Sequence, residues 1–292
     1  MPTTSPSDYD DSGPAPFKPG AMPAKIFTQI SEFIYNQVGI QIAPIKKTML
    51  EARLQKRLRV LKLKDYKAYC DFLFSAQGMA REIPELIDAV TTNTTDFFRE
   101  PKHFEFLYNT YLPAWFERFG ASSILRLWSA GCSTGMEPYT LAMVLSQFQE
   151  NTPHFKFSIM ATDISNKVLQ EALHGVYDTD RVAPVPQAMK RKYLLRSKDP
   201  STRKVRIVPE LRRQITFQRL NFMEHFEMPD PLDIVFCRNV IIYFDRKTQE
   251  TLLGKFCMQL KPGGYLFVGH SESLAGMPLP LQQVVPTVYK RT

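Results

Sequence analysis

The chain has 292 residues, of which 44% are hydrophobic and 23% are charged, so its composition is that of an ordinary globular protein. It contains no run of about 18 apolar residues, and its N-terminus lacks a basic stretch followed by an apolar one; both features argue against membrane insertion and secretion. The four cysteines form no C-x-x-C pair, which disfavours a zinc site or a disulfide scaffold. We therefore expect a cytoplasmic protein with free thiols.

The formal net charge of +8 is concentrated in two segments. Residues 46–67 carry nine Lys and Arg against two acids, and residues 181–213 carry eleven against two. Such patches are typical of proteins that bind nucleic acid, an anionic membrane or an acidic protein. They are equally typical of solvated faces, and charge alone does not choose between these interpretations.

The first ninety residues predict a disordered tail and a helical domain. Residues 1–22 are rich in Pro, Ser, Asp and Gly and have no apolar periodicity, which indicates disorder. Residues 23–90 show helical spacing of apolar positions and predict a small all-α domain. In its second helix the leucines form one stripe and the basic residues lie off that stripe: Leu50, Leu54, Leu58 and Leu61 against Lys46, Arg53, Lys56 and Arg57.

Beyond Phe104, apolar strand patterns alternate with helical ones. Five strands are predicted, at 124–131, 155–163, 215–221, 232–239 and 265–271, and the helix before the last strand is expected to stop at the KPGG of residues 261–264. This alternation predicts an α/β fold with a mostly parallel sheet covered by helices on both faces. Residues 176–214 do not fit the alternation, and we interpret them as an inserted antiparallel β-subdomain.

Polar residues follow several predicted strands, where ligands bind in open α/β sheets. Gly131 and Gly135 flank a turn after the first strand, and their G-x-x-x-G spacing matches neither a dinucleotide-binding nor a phosphate-binding loop. Glu137 is a candidate ligand contact, or it closes a capping box with Thr134. Asp163 after the second strand is a candidate for binding ribose hydroxyls, or it caps the next helix in competition with Ser165.

Two further strand ends carry candidate residues. Asn221 follows the third strand, and Arg238 follows the fourth, where a charge is costly unless it is paired or exposed in a cleft. Cys237 has no neighbouring base and is interpreted as a half-buried thiol. The five histidines are far apart in sequence and form no metal pair, so no metal is expected.

Six strings, in order, closely resemble the CheR family of chemotaxis receptor methyltransferases: TTNTTDFFRE, WSAGCSTGMEPYTLAM, ATDIS, HGVY, FCRNVIIYF and LKPGGYLFVGHSESL. The resemblance covers about residues 25–292. It implies that residues 91–292 form a Rossmann-like S-adenosylmethionine-dependent methyltransferase domain that contains the β-subdomain. It also implies that TTNTTDFFRE joins the two domains and lines the cofactor site.

The resemblance assigns roles to particular residues. It implies that these contact S-adenosylmethionine: Asn93, Thr95, Arg99, Glu137, Asp163, Asn221, Phe222, Arg238 and Asn239. Phe222 replaces the leucine usual in the family; a backbone contact to adenine would survive this change, whereas a side-chain packing contact would be altered by it. We predict that Arg99 and Tyr243 lie beside the transferring methyl group and act in catalysis.

The implied reaction methylates glutamate side chains of chemotaxis receptors and releases S-adenosylhomocysteine. A glutamate is already ionised at neutral pH, so no general base is needed. We expect the basic helix to dock the acidic methylation region of the receptor through Arg53, Lys56, Arg57 and Arg59. We also expect a monomer that meets membranes only through receptors and binds no nucleic acid.

Two alternatives stay open. A nucleic-acid methyltransferase would suit the basic patches but often carries N/D-P-P-Y after the fourth strand, where this chain has Arg238-Asn239-Val240. A non-catalytic module that senses S-adenosylmethionine is the other. In some family members the β-subdomain also binds a receptor peptide, but the loop SKDPSTRKV lacks the glycines often seen there, so we do not expect tethering.

Overall fold

The computed structural model describes residues 20–292, apart from the side chain of Pro200. The predicted disordered tail, residues 1–22, lies outside this range except for its last three residues. Among those three, Met22 is buried, and its N–H donates to Glu51 Oε1 at 2.8 Å. Met22 is therefore part of the helical core.

The N-terminal part is the predicted all-α domain. It consists of α1 Ala24–Val38, α2 Lys47–Leu61, α3 Tyr66–Leu73, α4 Ala76–Arg81 and α5 Ile83–Val90. Leu50, Leu54 and Leu58 of α2 are fully buried and pack with Ile30 and Ile34 of α1 in one hydrophobic core. The leucine stripe thus turns toward the core, as its spacing predicts.

The second part is built on a seven-stranded sheet. Its strands are β1 Ile124–Ala130, β2 Lys156–Asp163, β6 Ile215–Arg219, β7 Leu232–Cys237, β8 Leu260–Val268, β9 Leu281–Val285 and β10 Val288–Arg291. They lie in the order β6-β2-β1-β7-β8-β10-β9. The pairings among β6, β2, β1, β7 and β8 are all parallel, so the predicted parallel sheet is confirmed.

Helices cover both faces of this sheet. They are α6 Lys102–Phe106, α7 Leu112–Phe119, α8 Met136–Asn151, α9 Asn166–His174 and α12 Arg246–Gln259, and a π-helical turn, Leu107–Tyr111, joins α6 to α7. Alternate residues of β7 enter different cores: Ile234 and Phe236 pack on one face, Val235 and Cys237 on the other. Within residues 20–292, no helix combines the length and apolar character needed to cross a bilayer.

The segment between α9 and β6 forms the predicted antiparallel subdomain. Its strands are β3 Val176–Asp178, β4 Leu194–Arg196 and β5 Lys204–Ile207, in the order β3-β5-β4, with α10 Gln187–Tyr193 and α11 Pro209–Arg212 alongside. Both side strands pair with β5 in antiparallel fashion, so this part of the fold prediction is confirmed.

Two features of the sheet differ from the sequence prediction. The strand expected at 265–271 begins at Leu260 and runs through the KPGG segment, with an irregular register opposite Leu232 and Ile234. The hairpin of β9 and β10 was not predicted, because prolines 280 and 286 interrupt its short apolar runs. In the structure, β10 pairs with β8 in antiparallel fashion and so joins the sheet.

Contacts between the two parts hold the helical domain near the carboxyl ends of the strands. Asn221 Nδ2 donates to the carbonyl of Gln37 at 2.8 Å, and the N–H of Gln41 donates to the carbonyl of Tyr243 at 3.0 Å. Between them, Gly39 ends α1 with φ +73°, and a Cβ there would lie 2.6 Å from Met223 Sδ. The turn after α1 therefore needs glycine both for its conformation and for the close approach.

Candidate active site

A pocket opens at the carboxyl ends of β1, β2 and β7, where the strand order reverses direction on either side of β1. Its empty volume is about 1000 Å³, which includes space open to solvent. All the predicted cofactor and catalytic residues line it: Asn93, Thr95, Arg99, Glu137, Asp163, Asn221, Phe222, Arg238, Asn239 and Tyr243.

The interdomain linker, residues 91–100, forms one wall of the pocket and is held from both sides. From the helical domain, Arg53 donates to the carbonyls of Val90 and Thr91 and to Thr92 Oγ1, the last at 2.8 Å. From the sheet side, Ser133 Oγ donates to the carbonyl of Asn93 at 2.8 Å. The linker thus has a fixed path past the strand ends although it contains no regular secondary structure.

Arg238 is the charged residue on which the site is centred. Its side chain is only 2% exposed, and it contacts Glu100 at 3.1 Å, Glu137 at 3.2 Å and the carbonyl of Arg99. The sequence predicts that this charge is paired or exposed in a cleft, and the structure gives it two acidic partners, Glu100 and Glu137. Because Glu100 and Arg99 belong to the linker and Glu137 belongs to α8, the guanidinium ties three parts of the chain together.

The two acids beside Arg238 differ in their proton affinity. Burial alone would raise the pKa of Glu100, but the Arg238 guanidinium and the N–H of His270 outweigh it and lower that pKa. Burial raises the pKa of Glu137, and the charge of Arg238 and the hydroxyl of Ser129 offset only part of this effect. Nearby, burial and the charge of Arg238 lower the pKa of His103 to about 4, so its 3.6 Å approach to Glu100 is not an ion pair at neutral pH.

The capping-box alternative for Glu137 is wrong. The N-cap of α8 is Gly135, with no side-chain cap, and the hydroxyl of Thr134 is buried without a hydrogen-bond partner among residues 20–292. Glu137 instead accepts from Ser129 Oγ at 2.7 Å and from Arg238. Its carboxylate therefore turns toward the sheet and the pocket rather than back along the helix end.

Asp163 ends β2 and faces the pocket while its carboxylate is anchored by backbone. One oxygen accepts from the N–H of Ser133 at 2.8 Å and the other from the N–H of Ser165 at 3.0 Å. The cap of α9 is Ser165, whose hydroxyl accepts from Val168, so Asp163 is not the cap. Burial raises the pKa of Asp163 although these two N–H groups oppose the rise.

Asn239 and its neighbours are held in a strained loop after β7. Asn239 has φ +60°, a conformation that costs free energy for a residue with a side chain. The buried carboxylate of Glu272 stabilises it by accepting from the N–H groups of Asn239, Ile241 and Gly269 at 2.6–2.9 Å. A Cβ on Gly269 would lie 2.6 Å from Asn239 Nδ2, so the two loops are closely packed.

The remaining predicted residues close the pocket. Asn221 accepts from the N–H of Met223 and donates to Gln37, so its side chain also fixes the domain contact. Phe222 packs in the core near Trp128, with ring centroids 6.1 Å apart. Arg99 is half-buried and donates to the carbonyl of Thr94 at 3.1 Å, which leaves part of its guanidinium toward the pocket.

The side chains that line the pocket suit the chemistry of S-adenosylmethionine. Apolar side chains that could pack against an adenine ring come from both domains: Val38, Ile40, Phe222, Val240 and Phe244. The carboxylate of Asp163 has two oxygens with about four acceptor positions, and the backbone N–H groups do not use all of them, so acceptor capacity remains for ribose hydroxyls. A Cβ on Gly131 would lie 2.5 Å from Val240 Cγ2, so glycine keeps the loop after β1 close to this wall.

The predicted docking residues of α2 lie outside the pocket and divide into two pairs. Arg53 is bound to the linker, as described above, and Arg57 contacts Glu82 at 2.8 Å and Glu85 at 2.7 Å. Lys56 and Arg59 are exposed. Their charge is therefore the part of the predicted basic face that a partner could reach.

Sequence reasoning gave no role to Glu100 or Glu272. Glu100 lies 138 positions before Arg238, and only the fold brings the two together. The need of a buried Arg238 for an acid was a usable signal, but many acids in the sequence could have supplied the partner. Glu272 stands in the quoted GHSES string and carried no signal of burial, since it follows a strand in a polar loop.

Comparison with known proteins identifies the family. The model described as "CheR methyltransferase, all-alpha domain" matches residues 25–91, and "CheR methyltransferase, SAM binding domain" matches residues 93–290. The chemotaxis protein methyltransferase of Borreliella burgdorferi is 42% identical over 268 residues, which are 90% of this chain and 93% of that protein. The chemotaxis protein methyltransferase of Escherichia coli is 37% identical over 264 residues, or 90% and 89%.

Solved structures give a weaker match. The glycopeptide N-methyltransferase MtfA complexed with S-adenosylmethionine is 14% identical, with a TM-score of 0.35, over 66% of this chain and 57% of that chain. A likeness this slight adds nothing to the assignment. On the two family matches and the long, similar relatives, the chain belongs to the CheR methyltransferase family, whose S-adenosylmethionine-dependent methylation serves chemotaxis.

Proposed function

We propose that the protein transfers the methyl group of S-adenosylmethionine to glutamate side-chain carboxylates of chemotaxis receptors. The products are glutamate methyl esters and S-adenosylhomocysteine. Relatives named as chemotaxis protein methyltransferases support a role in chemotaxis. The residues that line the pocket support methyl transfer from S-adenosylmethionine. One observation carries the proposal: the linker, the strand ends and the helical domain together line a single pocket that contains an acid anchored by backbone, Asp163, and the arginine Arg99.

The proposed binding roles follow from the contacts. Asp163 would hold the ribose hydroxyls, and the apolar wall that includes Phe222 and Val240 would hold adenine. Asn93, Thr95, Glu137, Asn221, Arg238 and Asn239 supply the polar contacts around the rest of the molecule. Bound S-adenosylmethionine supplies an electrophilic methyl group on a positively charged sulfur.

The chain's own task in the reaction is alignment. A receptor glutamate is ionised at neutral pH, so its oxygen attacks without loss of a proton and no side chain has to act as a base. Arg99 can orient that carboxylate, because a guanidinium can donate two parallel hydrogen bonds to it. Tyr243, on the opposite loop, lines the same pocket and would position the donor. Holding the reactants in line and away from bulk water lowers the barrier.

Docking of the receptor is the second part of the proposal. The methylation region of a chemotaxis receptor resembles an acidic helical bundle, and α2 offers exposed Lys56 and Arg59 on the helical domain. Arg53 and Arg57 have partners within the chain, so we propose that they support this surface rather than contact the receptor.

The proposal predicts an alkali-labile product. The protein, methyl-labelled S-adenosylmethionine and receptor-bearing membranes from the same organism should yield labelled receptor that releases volatile methanol under mild alkali. Esters hydrolyse under these conditions, whereas N-methyl groups do not. Alkali-stable label on protein or on nucleic acid would overturn the glutamate assignment. A second methyltransferase that labels the same membranes would confirm that the receptor is a competent substrate. If this protein then binds S-adenosylmethionine but gives no labelled product, it would be a non-catalytic module that senses S-adenosylmethionine.

Arg99→Ala is expected to separate turnover from cofactor affinity. Loss of the guanidinium should lower kcat on the order of 100-fold, because a group aligned with the reacting atoms is removed. The Kd for S-adenosylhomocysteine, measured by calorimetry, should change by less than about threefold, since other residues hold that ligand. Arg99→Lys keeps the positive charge but lacks the planar guanidinium, so its kcat should lie between those of the natural protein and Arg99→Ala. Equal loss of turnover and affinity in Arg99→Ala would contradict the role.

Charge reversal on α2 is expected to weaken receptor binding alone. Lys56→Glu with Arg59→Glu should raise the KM for receptor about five- to tenfold, roughly 1 kcal/mol, and flatten the dependence of rate on salt. The matched control is Lys156→Glu with Lys290→Glu, which makes the same charge change on exposed strand residues. If both double variants raise the KM equally, net charge rather than α2 determines docking.

A further inference from the structure

Three side chains that could bind a metal meet beside the pocket: Glu100 of the linker, His103 of α6 and His270 of the loop after β8. The two histidines are 167 positions apart in sequence (270 − 103), yet their ring centroids lie 5.5 Å apart. His103 Nδ1 is 3.6 Å from Glu100 Oε2, and His270 Nε2 is 4.0 Å from the same oxygen. Two histidines that are far apart in the sequence are therefore neighbours in the fold.

The hydrogen bonds of His103 are compatible with the tautomer that a metal site requires. Thr287 Oγ1 lies 2.7 Å from His103 Nε2 and 2.6 Å from the carbonyl of Pro286. When the hydroxyl donates to that carbonyl, it accepts from Nε2–H, and Nδ1 carries a lone pair.

That lone pair has no partner within the described part of the chain. His103 is 2% exposed, and its Nδ1 is buried with no hydrogen bond. The atom it faces is an oxygen of Glu100, which is also an acceptor. That oxygen, Oε2, also accepts from the Arg238 guanidinium at 3.1 Å, so a metal ion would share it with Arg238. The unpartnered Nδ1 of His103 is the atom that an added cation would satisfy.

We propose that Glu100, His103 and His270 form a binding site for a divalent transition-metal ion, best suited to Zn²⁺. Two imidazoles and one carboxylate are a zinc ligand set that leaves a fourth position for water. Zinc bonds of about 2.0–2.2 Å imply separations of roughly 3.4 Å between ligand atoms. The three ligand atoms here already lie within 4.8 Å of one another, and the exposed side chain of His270 can move to close the difference.

The surroundings are compatible with such an ion. Thr287 holds the other nitrogen of His103, as partners outside the ligand set commonly do for metal-bound histidines. Arg238 lies close and is cationic, but Glu100 and Glu137 both contact it, so the acids outnumber it locally. Because Glu100 contacts Arg238, which lines the cofactor pocket, a bound ion would lie next to that pocket.

The test is metal titration of the full chain, without a histidine tag and after removal of metal by chelation. Calorimetry should show one Zn²⁺ per chain, and Co²⁺ should give visible absorption bands of a nitrogen-ligated site that Zn²⁺ abolishes. Mg²⁺, which prefers oxygen ligands, should not compete. His270→Ala should weaken Zn²⁺ binding at least tenfold and remove the Co²⁺ bands. His225→Ala removes an exposed histidine elsewhere and should change the affinity less than twofold.

Several results would overturn the site. They are an unchanged Zn²⁺ affinity in His270→Ala, equal loss in both histidine variants, and absence of saturable Zn²⁺ binding in the natural chain. His103→Ala provides a second measurement, with its melting temperature as a check on folding. Since His270 is exposed, its replacement should leave the fold intact, and the result stands even if the His103 variant fails to fold. None of these readouts depends on methyl transfer.

Discussion

The candidate active site depends on the ion pairs and hydrogen bonds of the buried Arg238. Arg238 joins the end of β7 to Glu100 and the Arg99 carbonyl of the linker and to Glu137 of α8. A buried guanidinium is tolerated only when its charge and its N–H groups are satisfied, so each of these partners is constrained in turn. The linker is consequently held against the strand ends, and it can contribute Asn93, Thr95 and Arg99 to one pocket.

Backbone strain in the same region fits this interpretation. Phe98, Glu100, Ser133 and Asn239 all have positive φ although none is glycine, and all lie in the segments that surround Arg238. Such conformations cost free energy and persist only where neighbouring contacts determine them. Here Glu272, Asp163 and Arg238 provide those contacts through backbone N–H and C=O groups. The conformation of these loops is thus determined by groups of the chain itself.

The sequence predicted the architecture wherever periodicity was strong, as in the leucine stripe of α2 and the apolar runs of β1, β2 and β7. It missed the hairpin of β9 and β10, because tertiary pairing with β8 outweighs the prolines near those short strands. Their positions after predicted strands identified Asp163 and Arg238 as candidate site residues. Asn93 and Arg99 were predicted only from the resemblance to the family. Glu100, Glu272 and the pairing of His103 with His270 depend on contacts across more than 30 positions, which local patterns do not contain.

The central claim is that Arg238 organises the pocket through the linker, and Arg238→Lys tests it most directly. The lysine keeps the charge but cannot bridge three partners. Hydrogen exchange should become faster at residues 91–100 while residues 24–61 stay unchanged, and calorimetry should show S-adenosylhomocysteine binding weakened at least about tenfold, or 1.4 kcal/mol. A folded Arg238→Lys variant with natural linker exchange and natural affinity would contradict the account.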